Sequence, residues 1–469
     1  MKHQIFHIGA FFGCSAAMKM ALLGTNVPYH VLCLHMNTIL HWFTTDLRLH
    51  DMPSLHSAKD ANALLPVYVI DPQSDIDTIH GFPRIGPIRK AFILQTVYAL
   101  KEHLQTLGSD LLIVEGSPEI IIPKLVSIFA VDRIHVELPF ASEEIKRIAD
   151  VESKITIPIH RFESRTMFRE QDLPFALDQL PDIFSEFRKM IEKACGYAIQ
   201  SCDDSPLPPL PIASKDITVQ CMGQHEEHIV QADPRAAFRA IGGEIEGLKR
   251  LHYYVADTHA ISTYKETRNG MIGDRYSSKF SPWLALGALS ARKIIESINA
   301  YELQYNANES TYWMKFELLW REFFQWTLKK HGDAFFRAVG IRGKKQVVKH
   351  DPQLIEHWRL GNTTDTFVNA NMKELLHTGY MSNRGRQNVA SYFVHNLQQD
   401  WRIGAAWFES QLIDYDVASN WGNWMYVAGV GNDPRQDRVF NTKKQADMYD
   451  PDGEYQDLWL HDHMAKNEH

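Results

Sequence analysis

The sequence predicts an α/β N-terminal domain with a parallel, doubly wound sheet, a long linker, and an all-α C-terminal domain. Three observations predict it. Up to about residue 165, short apolar runs alternate with longer helix-periodic runs; strands separated by helices build a parallel sheet covered on both faces. "DDSPLPPLPIAS" (203–214) then breaks the pattern with proline, which cannot continue a helix and favours an extended connector. Beyond about residue 230, apolar and aromatic residues recur at helical spacing almost to the end.

The expected strands are "TILHWF" (38–43), "LLPVYVID" (64–71), "DLLIVEG" (110–116), "RIHVEL" (133–138) and "ITIPIHRF" (155–162). Between the second and third, "GPIRKAFILQTVYALKEHLQTLG" places apolar residues at i, i+3 and i+4 and reads as a helix. No GxGxxG follows the first strand, so a dinucleotide fingerprint is absent. In the C-terminal part, "YWMKFELLWREFFQWTLKKHG" (312–332) carries its aromatics at helical spacing. The expected division is 36–165 for the α/β domain, 166–230 for the linker and 231–469 for the helical domain.

Residues 1–35 stand apart. "IGAFFGCSAAMKMALLG" is mildly apolar, with only Lys2 as a charge before it, a pattern shared with secretory signals. The plainer reading is a chain start at Met36, which runs at once into the first strand, with residues 1–35 translated from upstream sequence.

A chain of 469 residues is too long for one small core. Its 45% hydrophobic and 23% charged residues are ordinary for a globular protein. A net charge of -8 argues against a globally basic nucleic-acid coat, though not against a local basic groove. The five cysteines include no CxxC pair and no zinc-like Cys/His spacing, so no metal site is expected. So few cysteines fit a reducing compartment, here the cytoplasm. No run after residue 35 is apolar enough to span a membrane.

Four stretches carry candidate chemistry. In "TYKETRNGMIGDRYSSKFSPWLALGALS" (263–290) a polar loop leads through Ser277, Ser278, Lys279 and Ser281 into a helix beginning near Pro282. Serines and free N–H groups at a helix start make an anion site, or simply an N-cap. In "FELLWREFF", Glu317 and Trp320 are three apart and share a helix face; a core tryptophan beside a surface glutamate would look the same. "TGYMSNRGRQNVASYF" clusters Asn383, Arg384, Arg386 and Gln387 between glycines. "DYDVASNWGNWMYVAG" (414–429) puts Asp414 and Asp416 two apart, ahead of Asn420, Trp421, Trp424 and Tyr426. A buried arginine needs a carboxylate, and either aspartate is a candidate partner.

These stretches, with "DWRIGAAWFESQLIDYDVASNWGNWMYVAGVGNDPR" and "FNTKKQADMYDPDGEYQDLWL", occur in an order that resembles the photolyase/cryptochrome family, and within it the DASH-type cryptochromes. The match is dense over 263–460 and looser but collinear over 36–260, through "DLRLHD", "GPIRKAFILQ" and "DLPFALDQLPDIFSEFRK". The resemblance implies an FAD folded into a U in the helical domain. Tyr264 and the loop of Ser277, Ser278, Lys279, Phe280 and Ser281 would bind its phosphates. Asp414 and Asp416 would contact the ribityl and isoalloxazine region, Arg386 would pair with Asp414, Asn383 would border the cofactor, and Asn420 would face flavin N5. The inner two tryptophans of the family's electron relay fall on Trp424 and Trp401, and its outer position on Val348, which cannot carry a radical.

The resemblance also implies a reaction. Excited reduced flavin gives an electron to a pyrimidine dimer flipped out of DNA. Glu317, Trp320, Asn383, Arg384, Gln387, Tyr426 and Gln445 match lesion-pocket or DNA-contact positions, with Glu317 stabilising the anionic base. Arg342, Lys344, Lys345 and Lys349 would supply positive surface, or form a solvated loop. Tyr426 stands where stronger duplex-repair relatives carry tryptophan, so single-stranded DNA is the expected substrate. A methenyltetrahydrofolate antenna is implied between the domains, with Glu137 as its expected ligand. Thr44 and Thr45 replace the usual Arg-Asn ahead of "DLR", and Thr364, Thr366 and Asn369 replace the usual Gly, Pro and Asp. The expectation is a monomeric, membrane-free repair enzyme; the alternative is a blue-light receptor that binds DNA or a protein without repair.

Overall fold

The computed structural model describes residues 37–202, 204–211, 232–346, 348–435 and 439–461. Residues 1–36, Cys14 and Cys33 among them, residue 203 and the end of the expected linker, 212–230 with Cys221, lie outside the described residues.

Five parallel strands form one sheet in the order β3-β2-β1-β4-β5. They are β1 Thr38–Phe43, β2 Ala63–Ile70, β3 Leu112–Glu115, β4 Arg133–Glu137 and β5 Ile159–Phe162. β1 lies at the centre, buried along its whole length. Its alternate residues serve two cores. Ile39 and Phe43 join Phe92, Val97 and Leu100 of the helix Pro87–Thr106. Leu40 and Trp42 face the helices Pro118–Ile128 and Ser142–Glu152 through Ile122, Leu125, Ile148 and Val151. A parallel sheet covered on both faces needs this near-continuous apolar pattern.

Two strands are shorter than their apolar runs. Asp110 does not extend β3; it accepts from Leu111 N–H and pairs with Lys101 at 2.5 Å. β5 starts only at Ile159, because Pro158 has no N–H for a ladder and contributes only its carbonyl, to Ile134 N–H.

The segment between the domains contains a helix, Phe184–Ala194, which buries Phe184, Phe187 and Ile191 at i, i+3 and i+7. The proline-rich part runs extended along β2, where Pro209 O accepts from Leu64 N–H at 2.9 Å.

The helical part is organised on Glu309–His331, 23 residues long. Asn308 caps it and Thr311 returns a hydrogen bond to the Asn308 backbone. Two buried clusters tie this part to the α/β layer. Glu244 accepts from the backbone N–H groups of Leu49 and His50 at 2.9 Å each, and lies 2.5 Å from the His50 ring and 3.2 Å from the His103 ring. Asp51 accepts from Arg292 at 2.9 Å and from Ser290. No helix among the described residues is long and apolar enough to cross a membrane.

Candidate functional site

The stretch 414–429 begins in a turn and continues as the helix Val417–Val427. Asp416 is its N-cap, accepting from Ser419 N–H at 2.8 Å. Gln325 reaches the same carboxylate with its amide, 2.9 and 2.8 Å from the two oxygens. Burial pushes Asp416 upward, but Arg321, Arg165 and the Ser419 cap outweigh it and hold the carboxyl below its ordinary range. Asp414 is 7% exposed and accepts from Arg386 at 2.8 Å through one oxygen. Its other oxygen is buried with no hydrogen-bond partner.

Asn420 donates its amide to Ala405 O at 3.0 Å, which fixes the side chain's orientation. The aromatics of this helix do not face outward as a group. Trp424 is 2% exposed and packs edge-on against Phe408 at 5.1 Å and Trp358 at 6.1 Å. Its ring lies against Gly404, where an added Cβ would overlap it. Trp401, three residues earlier on that neighbouring helix, is fully buried. The i, i+4 rise from Asn420 turns Trp424 inward, while Trp421 and Tyr426 are half-buried.

The 276–281 loop approaches Arg386, the partner of Asp414, and the Arg386 charge acts on Tyr276. Lys279 has a positive φ of 56° and is 1% exposed. Its ammonium has no hydrogen-bond partner and sits 3.1 Å from the centroid of the Tyr276 ring. Burial, with Arg250 nearby, pushes its pKa down to about 6. Arg250 holds the loop by donating to the carbonyls of Asp274, Ser277 and Ser278. Phe280 is buried, and Ser281 opens the short helix Ser281–Ala285. Tyr264 is buried beside them, its phenol raised well above the ordinary value by burial.

Nearer the surface, Glu317 forms a close ion pair with Arg268. Burial raises the Glu317 carboxyl and Arg268 opposes it, with the net direction upward. Trp320 is stacked on Phe184, centroids 3.7 Å apart and planes 12° apart. Tyr426 meets Trp320 edge-on at 5.9 Å and its hydroxyl accepts from Arg435 at 3.2 Å. Arg384 donates to Gln387 at 3.0 Å, to Asn269 at 3.0 Å and to Gln445 at 3.5 Å. Asn383 is exposed at the start of the helix Asn383–Ser391. Arg342, Lys344, Lys345 and Lys349 are exposed.

Glu137 is placed inside the protein, 2% exposed. One oxygen accepts from Ser164, and the other from Arg165 at 2.8 Å and from Thr45 at 2.9 Å. The threonine that replaces the family's usual residue at position 45 is therefore a ligand of this carboxylate.

The donors and acceptors fit a diphosphate-linked flavin. Lys279 Nζ is a buried donor without an acceptor, and Asp414 Oδ1 and Gln325 Oε1 are buried acceptors without donors. A buried group left in this state costs free energy until a partner supplies the missing bond. No group of His, Cys, Asp and Glu among the described residues is arranged to hold a metal.

Sequence reading missed Arg165, Arg268 and Gln325. A signal existed for Gln325, which follows Glu317 and Arg321 at i+8 and i+4 on one helix face. Arg165 comes from the other domain and leaves no local pattern.

Two family models match the chain: one described as DNA photolyase over residues 39–211, the other as the FAD binding domain of DNA photolyase over residues 313–467. A cryptochrome DASH of Gloeobacter violaceus is 46% identical over 427 residues, covering 90% of this chain and 85% of that one. One of Xenopus laevis is 42% identical, covering 92% and 83%. The crystal structure of a Synechocystis cryptochrome is similar with a TM-score of 0.85 at 43% identity, covering 90% of this chain and 88% of that one. A class III photolyase of Agrobacterium tumefaciens shares the fold, with a TM-score of 0.75 at 24% identity over 92% and 88% of the two chains.

Proposed function

The chain belongs to the photolyase/cryptochrome family, and on that premise we propose that it is a deoxyribodipyrimidine photo-lyase, repairing cyclobutane pyrimidine dimers in DNA, mainly single-stranded, under blue light. One observation carries the reading. A single helix, Glu309–His331, holds half-buried Glu317 and Trp320 and, two turns on from Glu317, presents Gln325 to Asp416. Lesion groups and flavin groups are thus fixed on one rigid element, at a constant spacing.

Reduced FAD, when bound, supplies the photoexcited electron that splits the dimer and recovers it afterwards. The chain's own residues do the rest. Lys279 with Ser277, Ser278 and Ser281 would hold the diphosphate, and Tyr264 and Phe280 would wall it from water. Asp414, pinned by Arg386, offers its unpartnered oxygen to the ribityl and isoalloxazine region beside Asn383. Asn420 presents its amide toward N5. Trp320, with one face already closed by Phe184, offers the other to a flipped base, and Glu317 stands where charge develops on it. Arg384, Gln387 and Gln445 would steady the strand. Tyr426 gives less stacking surface than tryptophan, which matters most when a duplex must also be opened.

The same reading includes a monomeric protein in the cytoplasm and a methenyltetrahydrofolate antenna between the domains. Glu137, with both oxygens committed to protein groups, would there shape the wall rather than bind the pterin; folate released on denaturation tests for the antenna.

The deciding experiment incubates dimer-containing oligonucleotides, single- and double-stranded, with reduced protein in blue light and in the dark. Light-dependent repair, faster on single strands, is expected, and Glu317→Ala should lower it while flavin stays bound. Flavin photochemistry without any repair would favour the photoreceptor alternative instead.

A further inference from the structure

We propose that Trp421, Tyr415 and Glu409 form a proton-coupled exit that carries oxidation from Trp401 toward the surface; this rests on the reading of the chain as a light-driven flavoprotein. The outer relay position is Val348, 44% exposed and without a ring to oxidise. Trp401 cannot be the end of the path, because it is fully buried, with its indole N–H tied to Ala338 O at 3.1 Å.

The ring on Trp401 is Trp421, edge-on with centroids 5.7 Å apart and planes at 78°. Trp421 is half-buried, and its indole N–H donates to the Tyr415 hydroxyl at 3.2 Å. Glu409 borders this tyrosine: Arg89, which lies over the Tyr415 ring, donates to the Glu409 carbonyl at 2.5 Å, and burial, followed by the Glu409 carboxylate, raises the phenol well above its ordinary value. Arg84 holds that carboxylate at 3.1 Å. The Arg89 guanidinium is 4.4 Å from the Tyr415 ring centroid. A cation on the ring face disfavours a cationic phenol radical. Oxidation of Tyr415 must release the proton together with the electron, and Glu409 stands ready to take it.

A competing branch ends blind. Trp358 also meets Trp424, at 6.1 Å, but it is fully buried, and its other ring neighbours are Phe393 and Phe408.

The electrons and protons balance as follows. The oxidant is a photoexcited oxidised flavin, to which one electron passes from Trp424. Trp401 refills Trp424, Trp421 refills Trp401, and Tyr415 refills Trp421. The Tyr415 O–H bond breaks, its proton moves to Glu409, and a neutral phenoxyl remains. An external thiol then gives one hydrogen atom to Tyr415 and becomes a thiyl radical, and Glu409 releases its proton to water.

The test uses the full-length flavin-loaded protein, oxidised and excited with blue light, read by transient absorption and electron paramagnetic resonance. A neutral tyrosyl radical is expected in the wild type. Tyr415→Phe should leave a tryptophanyl radical in its place. Trp421→Phe should remove both long-lived signals and slow thiol-dependent photoreduction at least tenfold, and Val348→Trp in that background should restore it. Glu409→Gln should delay the tyrosyl signal and change its solvent isotope effect. A tyrosyl signal that survives Tyr415→Phe, or wild-type photoreduction in Trp421→Phe, overturns the proposal. Repair by chemically reduced wild-type protein is scored separately: its absence beside a normal tyrosyl signal would defeat the functional reading and leave the exit standing.

Discussion

Arg165 donates to Glu137 at 2.8 Å, and the same guanidinium lies 3.9 Å from Asp416. One side chain thus bridges a carboxylate of the sheet domain and one at the flavin site. Removing it takes the ion-pair partner from buried Glu137 and leaves Asp416 with Arg321 as its main cation. Arg165→Ala should cost about 3–5 kcal/mol, the range for breaking a buried ion pair from one side. Arg165→Lys should recover part of this, since lysine keeps the charge without the fork. Thermal melts with flavin content measured in parallel check it; a melting temperature within a degree of wild type in Arg165→Ala would remove the bridge from the account.

Flavin binding should depend on pH through Lys279. Its pKa in the protein, about 6, lies far below the ordinary 10.5, so the side chain is a neutral amine near pH 8. The unfolded chain holds that proton, so the lysine costs stability increasingly as pH falls from 10.5 toward 6. A diphosphate beside it restores the charge, so binding should take up about one proton near pH 8. Lys279→Met should abolish the uptake, raise the melting temperature of the flavin-free protein, and weaken flavin binding about 10–100-fold, the equivalent of one charge-assisted hydrogen bond. Calorimetry in buffers of different ionisation heat reads the proton count, and a count of zero refutes the assignment.

Glu244 sets a pH window for the contact between the two domains. Burial raises its carboxyl, but hydrogen bonds from His103 and His50 outweigh this and hold it far below 4.5. Its stabilisation is therefore present above pH 4.5 and lost as pH falls through the folded value. His103 moves the other way, raised above 6.5 chiefly by its hydrogen bond to Glu244. That contribution is full below pH 6.5 and lost as pH climbs through the raised value. Glu244→Gln should lower stability by roughly 2–4 kcal/mol near pH 6 and flatten the alkaline limb. Urea unfolding across the pH range is the measurement; an unchanged slope above pH 6.5 would show that His103 is not linked to Glu244.

Tyr426→Trp should favour duplex repair. Base stacking on an aromatic ring is worth about 1–3 kcal/mol, and the larger indole recovers part of it. Duplex-dimer repair should rise roughly tenfold with little change on single strands. Equal gains on both substrates would mean that residue 426 does not set the preference.

Much of this was legible because it is periodic. The five strands announced themselves as apolar runs, and the long helix showed its aromatics at helical spacing. The family resemblance supplied the functional names. What stayed hidden was of two kinds. Strand ends at Asp110 and Pro158 depend on single hydrogen bonds that an apolar run does not encode. Partners such as Arg165 for Glu137 and Asp416, or Arg268 for Glu317, are brought together only by tertiary packing. The inward turn of Trp424 belongs here too: a tryptophan in an aromatic helix reads the same whichever side it faces.

The stack of Phe184 on Trp320 gives the interdomain segment a duty beyond connection. Phe184 belongs to the helix Phe184–Ala194, not to the domain that carries Trp320. By covering one side of the indole it stops the ring from swinging, so that, on the proposed reading, part of the ordering entropy of base capture would be removed before a base arrives. The pocket behaves as a slot with one fixed jaw, and that jaw is hung from the connector. A change in connector length should then register as a change in grip at the proposed pocket.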